Sequence, residues 1–582
     1  MGAWWIRGGG EAIAGIANVF RKHARGAPGD RAPHFFVTVY SHAMMSAPLT
    51  SLSVFISKYK WLWVAYILCL CVLVLPEIYS AGLKLPPPGH RQVLLSFLFL
   101  AGLCVFAIAN LWGFLCVIGI ICLQWADVIH FRYFGSYFTR RDFPLLIEEF
   151  SDIVSGLLGT TEVWLGSVEG IIACLVILLV SRRLVAWGRG ASLTAALLLV
   201  LSPVGMAAAK EKWRMEPDDR RPALINALYS FGGFFADQIH PSVGVTDTGV
   251  RYSVNWREPQ PSVKPSILLI VGESLSAAHM GVLGYDRTTT PHLAELLEKY
   301  GGRASKMVSA GVSTRVSIPM FMNVVREPGN AIALRSSPAN LFRVAKHAGY
   351  QTAFLSVQDM SGVSSSIGRE AIDHWMDAVD QPIRNNVPDA MLLSRVRQSG
   401  LDLRKPYFMV LNTRSTHLPY EANYPPAFAK FSGGAEVAAD RRHIDDYDDA
   451  MRWFDEKVSS AIEYVLHESA GPVVVLMVSD HGEMVGEQGR FGHNVIHPSV
   501  YTTPFVWMTN DRRAVSDVFD RCVLNHYELG KRIVNLLGGV VVNPLERDGD
   551  KTYWVNGTSL DGGNGVMKYD YTQFASVAGC EG

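Results

Sequence analysis

Apolar residues are arranged differently in the first 210 positions and in the remainder of the chain. The first part contains long, nearly unbroken apolar runs, whereas the second alternates short apolar runs with segments of helical periodicity. A run of about 20 apolar residues can cross the roughly 30 Å hydrocarbon core of a bilayer as a helix. Short runs alternating with amphipathic segments are typical of a globular α/β domain. The pattern therefore predicts a transmembrane domain over residues 61–209, followed by a globular domain over residues 263–582.

Four apolar segments are predicted to supply five membrane helices. They are Trp61–Tyr79, Val93–Val128, Gly166–Ser181 and Ala191–Ala209. The second segment would reach roughly 50 Å as one helix, so it is interpreted as two. The residues before Trp61 and the loop at 182–190 are basic, which places both in the cytoplasm and requires an even number of spans between them. Counting Val93–Val128 as two helices gives four. The fifth span then brings the globular domain to the outer face of the membrane.

The remaining parts of the first half are less strongly patterned. Residues 1–60 are predicted to be a cytoplasmic extension, and residues 210–262 a linker with an amphipathic helix near Pro222–Ile239. The outward loop His130–Trp164 begins with aromatic residues and continues with amphipathic periodicity. It is expected to be either an interfacial helix or a packing helix between the two halves.

Composition restricts the class of partner. The chain has 53 Lys and Arg against 53 Asp and Glu, a formal net charge of +0 at pH 7. It therefore lacks the excess of basic residues that would indicate a nucleic-acid partner. The 49% hydrophobic content is high for a soluble protein and indicates a membrane partner. Of the eight cysteines, only Cys522 and Cys580 lie in the second half, where they are expected either to pair or to remain free thiols.

The globular half alternates strand-like and helix-like segments. The predicted strands are Ser266–Val271, Thr352–Val357, Tyr407–Leu411, Val473–Val478 and Pro504–Met508. The predicted helices include Pro291–Tyr300, with Thr290 as its cap, Ala339–Ala348 and Arg441–His467. This order predicts a mainly parallel sheet covered by helices on both faces, with ligands bound beyond the carboxyl ends of the strands.

Candidate metal ligands occur at two of those strand ends. Glu273 follows one predicted strand, and Asp480 and His481 follow another. Carboxylate and imidazole groups are ligands that zinc takes in proteins, and a zinc ion can activate a nearby hydroxyl as a nucleophile. The segment 311–319 offers three such hydroxyls. They belong to Ser313, Thr314 and Ser317, and composition alone does not choose among them.

Six fragments in fixed order give the chain a resemblance to a known family. They are VGES, LGYDRTTTPHL, GVSTRVSIP, THLPYEANYPP, YDDAMRWFDE and SDHGEMVGEQGRFGH, within about residues 265–510. Together they resemble the phosphoethanolamine transferases of Gram-negative envelopes, which belong to the alkaline phosphatase and sulfatase superfamily. The resemblance implies five membrane helices in the bacterial inner membrane and a periplasmic α/β catalytic domain.

The resemblance also implies roles for individual residues. Glu273, Thr314, Asp480 and His481 would bind one Zn²⁺, and Thr314 would become the covalent phospho-threonine. Three further residues would contact the transferred group, two of them also as proton carriers or ligands of a second zinc; they are His417, His493 and Gln358. The donor would be phosphatidylethanolamine, and the acceptor lipopolysaccharide or another envelope glycan.

Other positions are expected to be structural. Tyr447, Asp448 and Asp449 are predicted to brace the site. Five histidines without motif context are predicted to be structural or solvated: His279, His292, His347, His443 and His497. Ser274 is a weaker nucleophile candidate than Thr314.

Four alternative functions are weighed on the sequence alone. A sulfatase of this fold needs a Cys or Ser in a signature that ends in Arg, but Ser317 is followed by Ile318, Pro319 and Met320. A phosphoglycerol transferase would also use a threonine nucleophile, and a phosphodiesterase-type hydrolase would use the same scaffold. A non-enzymatic envelope scaffold would be favoured if one of the four ligand residues were missing, and all four are present.

Overall fold

The computed structural model describes part of residues 119–143 and then, with short gaps, residues 223–239, 250–257, 264–379, 387–432, 439–514 and 519–570. All of these lie within the unit Cys69–Gly582. Several predictions fall outside the described residues: the extension 1–60, three of the membrane segments, nearly all of Val93–Val128, most of His130–Trp164, and both Cys522 and Cys580. Among the described residues, no helix has both the length and the apolar character needed to cross a membrane.

Helices and strands alternate along the described part of the chain. The helices are α1 Ala223–Ile239, α2 Pro291–Tyr300, α3 Thr314–Met322, α4 Leu341–His347, α5 Leu392–Gln398, α6 Ala439–Glu468, α7 Pro498–Tyr501 and α8 His526–Leu536. The strands are β1 Ser253–Trp256, β2 Ser266–Gly272, β3 Arg303–Val308, β4 Gln351–Ser356, β5 His374–Met376, β6 Tyr407–Asn412, β7 Val473–Ser479, β8 Met484–Val485, β9 Phe491–Gly492, β10 Thr502–Thr509, β11 Gly539–Val542, β12 Thr552–Asn556 and β13 Val566–Asp570.

A seven-stranded sheet forms the centre of the domain, in the order β3-β10-β7-β2-β6-β4-β5. The five strands from β7 to β5 are mutually parallel. Strand β10 is antiparallel to both of its neighbours, so the sheet is mixed. The prediction of a mainly parallel sheet is confirmed, with one strand reversed near an edge.

Both faces of the sheet are covered, because its central strands are apolar on both sides. All seven residues of β2 are buried. Ile267, Leu269 and Val271 belong to one apolar cluster with residues of α3, α4 and α8. Leu268 and Ile270 point to the other face and join a second cluster with residues of α2, α5 and α6. Burial of each such side chain contributes roughly 1.5–3 kcal/mol, so the unbroken apolar runs specify a doubly covered sheet.

The predicted elements in the second half of the chain are found with small changes at their ends. All five predicted strands are present, as β2, β4, β6, β7 and β10, and Pro291–Tyr300 is α2. A helix is also present near Pro222–Ile239, as predicted, and is α1; its place in a linker stays a prediction. The prediction that Thr290 caps α2 is wrong in one respect. Thr290 occupies the N-cap position, but its side chain makes no capping hydrogen bond and instead accepts one from the Val282 amide.

The cap of α2 comes from a distant helix. The Asp455 carboxylate, on α6, accepts hydrogen bonds from the amides of His292 and Leu293 at 2.8 and 2.9 Å. These are N–H groups of the first turn, which have no partner within the helix. Burial raises the pKa of Asp455 to about 7, although the two amide hydrogen bonds oppose that rise. One buried carboxylate therefore joins α2 to α6.

We expect Asp455→Ala to lower the free energy of unfolding by about 1–3 kcal/mol, because two buried amides lose their acceptor. We also expect a pH dependence. The folded pKa of Asp455 lies above its ordinary value, so the folded protein binds this proton more tightly than the unfolded chain does. The resulting stability is fully present below about pH 4 and is lost as pH rises through about 7.

Melting temperatures of the full-length protein and of Asp455→Asn at pH 5 and pH 8 measure this effect. The wild type should lose more stability than the Asn variant between the two values. Glu456→Gln, at the adjacent position on α6, is the matched control and should follow the wild type. Identical pH dependence for the wild type and Asp455→Asn would contradict the assignment.

Candidate active site

Four neighbouring parallel strands end at the same level and deliver the predicted site residues. In the register of β2 and β7, Gly272 lies opposite Ser479, so Glu273 and Asp480 leave the sheet side by side. On the other side of β2, Val271 pairs with Asn412 of β6, and Asn412 pairs with Ser356 of β4. The loops that carry His417 and Gln358 therefore begin at this same carboxyl edge, as expected for a ligand site in such a sheet.

Thr314 meets both strand ends from a different direction, as the first residue of α3. Its Oγ1 donates to Glu273 Oε1 at 3.0 Å and to Asp480 Oδ2 at 2.7 Å, with the single hydroxyl proton shared between them. The same Oγ1 lies 3.2 Å from His481 Nε2. His481 Nε2 is also 3.5 Å from Glu273 Oε1 and 3.3 Å from Asp480 Oδ2. The structure thus brings together all four predicted ligand residues.

These four atoms form a compact group that can hold one metal ion. Five of the six distances between them lie between 2.7 and 3.5 Å. Four ligands placed tetrahedrally at about 2.0–2.1 Å from one ion would be roughly 3.3 Å apart. The three side chains that carry the carboxylates and the imidazole are fully buried, so solvent does not compete for these atoms.

The electrostatics of the group favour a bound cation. Burial, and then the charge of Glu273, raise the pKa of Asp480 to about 7. Burial alone would raise the pKa of Glu273 too, but the hydrogen bond and charge of His481 hold it below the usual range. Burial would lower the pKa of His481, yet the two carboxylates raise it to about 10. Two carboxylates in one dry pocket need a positive charge, from a protonated imidazole or from a metal ion.

Backbone contacts fix the orientation of the two carboxylates. Asp480 Oδ1 accepts from the amides of Ser274 and His481 at 3.1 and 2.7 Å, which leaves Oδ2 directed at Thr314. Ser274 has φ +57°, an uncommon conformation for a non-glycine residue. The Tyr447 hydroxyl supports it by donating to the Ser274 carbonyl at 2.8 Å, and it accepts from the Ser276 amide at 2.7 Å. Tyr447 thus braces the turn after β2, as predicted.

Gln358 contacts the second oxygen of Glu273. Its Nε2 donates to Glu273 Oε2 at 3.0 Å and to the Thr413 carbonyl at 2.5 Å. Its Oε1 lies 3.5 Å from Arg414 Nη1. The amide therefore holds Glu273 so that Oε1 points at Thr314. Contact between Gln358 and a substrate head group stays a prediction.

We expect Gln358→Ala to weaken the affinity for Zn²⁺ by about 10–100-fold, because groups that orient metal ligands typically have effects of this size. Competition with a fluorescent chelator measures the affinity without any substrate. Gln351→Ala is a matched control, since Gln351 also makes two side-chain hydrogen bonds but at the opposite end of β4. An unchanged affinity in Gln358→Ala would contradict the orienting role.

His417 and His493 lie beside the group of four potential metal ligands. The ring centroid of His493 is 4.2 Å from that of His481 and 5.7 Å from that of His417. His417 Nδ1 lies 2.6 Å from the carbonyl of Leu418, which can only accept, so Nδ1 carries the proton in the neutral ring. Burial, and then the charge of Arg414, lower the pKa of His417 to about 4. The imidazole of His417 is therefore neutral, and it lies beside the ring of His493.

Glu483 is a site residue to which sequence reasoning assigned no role. Its carboxylate accepts from the Tyr420 hydroxyl at 2.8 Å and lies 2.9 Å from His493 Nδ1. Burial raises the pKa of Glu483 to about 7. His481, Glu483 and His493 form a second group of potential metal ligands, which shares His481 with the first. The SDHGE fragment contains Glu483, so its position two residues after His481 was the available signal.

The structure distinguishes the hydroxyl groups that the sequence left open. Ser313 Oγ has no hydrogen-bond partner among the described residues and is buried. Ser317 Oγ donates to the main-chain carbonyl of Asp480. Within the described part of the chain, Ser274 Oγ donates to Glu273 Oε1 alone, at 3.4 Å. Among these four hydroxyls, Thr314 Oγ1 is the one that contacts all three of the other donor residues.

Residues predicted to be structural make structural contacts. Asp448 binds His279, Tyr285 and Arg287, and Asp449 accepts from the amides of residues 430–432. His347 stacks on Trp256. His497 caps α7 by accepting from the Ser499 amide. These contacts fasten loops to α6 and close the ends of elements.

The chain is similar in sequence to known proteins. Residues 265–538 match the model of the sulfatase family. The chain is similar to Kdo(2)-lipid A phosphoethanolamine 7''-transferase of Escherichia coli strain K12, with 26% identity over 268 residues, 44% of this chain and 46% of that protein. It is also similar to phosphatidylethanolamine transferase Mcr-2 of Escherichia coli, with 25% identity over 378 residues, 60% of this chain and 68% of that protein. The match spans about half the length of the first relative. The resemblance stated from the motifs is confirmed.

The fold is also found in a solved structure. This is the integral membrane protein lipooligosaccharide phosphoethanolamine transferase A from Neisseria meningitidis, with a TM-score of 0.52 and 18% identity, covering 81% of this chain and 95% of that one. At this level of identity the likeness concerns the fold alone.

Proposed function

We propose that this chain transfers phosphoethanolamine, because residues 265–538 match the sulfatase family and the chain is similar to phosphoethanolamine transferases. The donor is phosphatidylethanolamine, the acceptor is lipopolysaccharide or another envelope glycan, and Thr314 carries the group between them. The observation that carries this proposal is the position of Thr314 Oγ1, which lies within 3.2 Å of potential metal-ligand atoms of Glu273, Asp480 and His481.

The donor set supports one zinc ion as the cofactor. Two carboxylate oxygens, one imidazole nitrogen and one hydroxyl form a four-membered set of oxygen and nitrogen donors, which is typical of zinc, whereas magnesium and calcium take six or more oxygens. When bound, zinc would lower the pKa of the Thr314 hydroxyl and so supply a nucleophile at neutral pH. The buried pair of Glu273 and Asp480 supports a cation here, because two carboxylates in one dry pocket need a compensating positive charge.

In the first step, Thr314 Oγ1 attacks the phosphorus of the donor lipid. A bond forms between Oγ1 and phosphorus, and the bond from phosphorus to the glycerol oxygen breaks. The Thr314 proton passes to a nearby base, and the leaving diacylglycerol oxygen receives a proton. Neutral His417 can serve as that proton carrier through Nε2, because its Nδ1 proton is held by the Leu418 carbonyl.

In the second step, an oxygen of the acceptor attacks the phosphorus of phospho-Thr314. The new bond to the acceptor forms as the bond to Oγ1 breaks, and the threonine hydroxyl is regenerated. His493, oriented by Glu483 through Nδ1, lies on the same side as His417 and is the second candidate for proton transfer. The N-terminus of α3 begins at Thr314, where amide groups favour a negatively charged phosphate.

The proposal includes the location of the enzyme. The apolar segments before residue 210 would anchor the chain in the bacterial inner membrane with five spans, and residues 263–582 would form the periplasmic catalytic domain. A donor that is itself a membrane lipid is consistent with a catalytic domain tethered to the bilayer surface.

The experiment uses full-length protein in detergent with Zn²⁺ and phosphatidylethanolamine labelled in the head group. Peptide mass spectrometry should find the head-group adduct on the peptide containing Thr314, together with released diacylglycerol. An adduct formed only from phosphatidylglycerol would indicate a phosphoglycerol transferase instead. Release of free phosphoethanolamine without a protein adduct would indicate a hydrolase and overturn the two-step transfer.

A further inference from the structure

A second histidine environment lies directly behind the candidate active site. His526 is the first residue of α8 and is 1% exposed. Its ring makes no hydrogen bond to the carboxylates of Glu273 and Asp480, among the described residues. The proposed reaction makes no use of it, and no fragment of the motif set includes it.

The hydrogen bonds of His526 define its tautomer. The Ala310 amide donates to Nδ1 at 3.1 Å, so Nδ1 cannot carry a proton. Nε2 lies 2.9 Å from the Ser479 carbonyl, which can only accept, so Nε2 carries the proton. Burial lowers the pKa of His526 to about 3, in agreement with this neutral form. The ring is therefore a bridge with one donor and one acceptor.

The bridge joins the two segments that supply the reacting groups. Ser479 is the last residue of β7 and immediately precedes Asp480. Ala310 begins the loop that leads to Thr314. These segments are more than 160 residues apart in sequence, and the Thr314 Oγ1 to Asp480 Oδ2 distance of 2.7 Å depends on how they dock.

Helix α3 also packs against the ring of His526. Phe321 stacks on the imidazole with centroids 4.7 Å apart and an angle of 23° between planes. Ser317, one turn after Thr314, lies 3.2 Å from Nδ1 and also donates to the Asp480 carbonyl. Ser317 and Phe321, on one face of α3, therefore both contact the imidazole. Ser317 also contacts the backbone of Asp480, directly after β7.

The start of α8 is itself fixed to the sheet. The Val308 amide donates to the Leu524 carbonyl at 2.8 Å, and the Asn525 side chain caps the helix by accepting from the Glu528 amide at 2.9 Å. These two contacts fix the start of α8, and with it the backbone of His526, relative to β3.

From these contacts we propose that His526 is a positioning residue, which sets the distance between the Thr314 hydroxyl and the Asp480 carboxylate by bridging Ala310 and Ser479. This inference rests on the proposed function, since it assigns a catalytic consequence to that distance. A misplacement of a reacting group by about 1 Å can cost roughly 10²-fold in rate. Groups behind metal ligands typically change metal affinity or activity by about 10–100-fold.

Three substitutions separate the contacts of the ring. His526→Leu removes both hydrogen bonds. His526→Asn keeps an acceptor near the position of Nδ1, and His526→Gln keeps a donor near the position of Nε2. Tyr527→Phe is the matched control, because it removes the hydroxyl that donates to Glu546 at the adjacent position of the same helix.

Each full-length variant is tested for Zn²⁺ affinity by chelator competition, for kcat and KM of adduct formation, and for melting temperature. We expect His526→Leu to lose about 10–100-fold in Zn²⁺ affinity and in kcat, with KM nearly unchanged. Asn and Gln should each restore part of both. Tyr527→Phe should lower only the melting temperature.

A purely structural role would give a different pattern. The inference is overturned if the folded variants keep wild-type Zn²⁺ affinity and kcat, or if all four variants lose activity only in proportion to their melting temperatures. Should the Leu variant fail to fold, the Asn and Gln variants decide the question. A wild type that binds Zn²⁺ but forms no adduct would refute the proposed function, and the affinity measurements would still test His526.

Discussion

Thr314→Val is expected to abolish the covalent adduct and to lower transfer by roughly 10⁴-fold or more, as loss of a covalent nucleophile does in other enzymes. Valine keeps the shape of threonine but has no hydroxyl, so the contacts of Oγ1 with Glu273, Asp480 and His481 disappear without a change in volume. Thr314→Ser keeps the hydroxyl at the same position of α3 and should still form the adduct. The measurement is the mass of the peptide containing residue 314 after incubation with labelled phosphatidylethanolamine.

Ser313→Ala is the matched control for this nucleophile. Ser313 is adjacent and buried, and its hydroxyl has no partner among the described residues, so its loss should leave the adduct and the rate near wild type. An adduct that persists in Thr314→Val, on any other residue, would remove Thr314 from the proposed mechanism. If Ser313→Ala loses as much activity as Thr314→Val, the loss reflects disturbance of this segment in general and not removal of the Thr314 hydroxyl.

Asp480→Asn is expected to reduce Zn²⁺ affinity by about 10²–10³-fold. Apparent binding free energies of about 10–16 kcal/mol for structural zinc, divided among four ligands, correspond to roughly 2.5–4 kcal/mol for each. The same change should not destabilise the metal-free protein. Burial and Glu273 raise the pKa of Asp480, which means that its charged form is unfavourable without a cation, and Asn removes that charge.

The two effects are measured together by melting temperature with EDTA and with added Zn²⁺. A ligand that binds the folded state stabilises it in proportion to the logarithm of its concentration over Kd. The wild type should therefore show a large zinc-dependent rise, and Asp480→Asn a small one from an equal or higher starting value. Asp455→Asn, which alters a buried carboxylate that accepts hydrogen bonds from α2 and is not among the four ligand residues, should keep the full rise. A full zinc-dependent rise in Asp480→Asn would exclude Asp480 as a ligand.

The part of the fold that the sequence predicts well is the part buried on both faces. Strands β2, β6 and β7 are continuous apolar runs, and their ends were predicted within one residue. Strand β3, Arg303–Val308, was not predicted, because it lies at the sheet edge and four of its six residues are exposed or half-buried. The three-residue strand β5 is too short to carry a pattern. The reversed direction of β10 also has no local signal, since an apolar run reads alike in either direction.

The candidate site was predicted residue by residue through short motifs, and its wider surroundings were not. Glu273, Asp480 and His481 follow recognisable strands. The contacts of Tyr447 with the turn at Ser274, of Gln358 with Glu273, and of His526 with Ala310 join positions between 85 and 216 residues apart. No local spacing carries such information, because these contacts depend on strand order and helix docking.

The sequence by itself determined which chemical groups are available, and which of the strongly apolar or periodic segments become strands and helices, because hydrophobicity and periodicity are local properties of the chain. It also determined that Glu273 and Asp480 each follow a strand. The tertiary structure decided that those strands are neighbours in parallel register, and that Thr314, rather than Ser313 or Ser317, meets both carboxylates. That choice depends on the docking of α3 against β7 and α8, where a shift of one ångström separates a hydrogen bond from no contact.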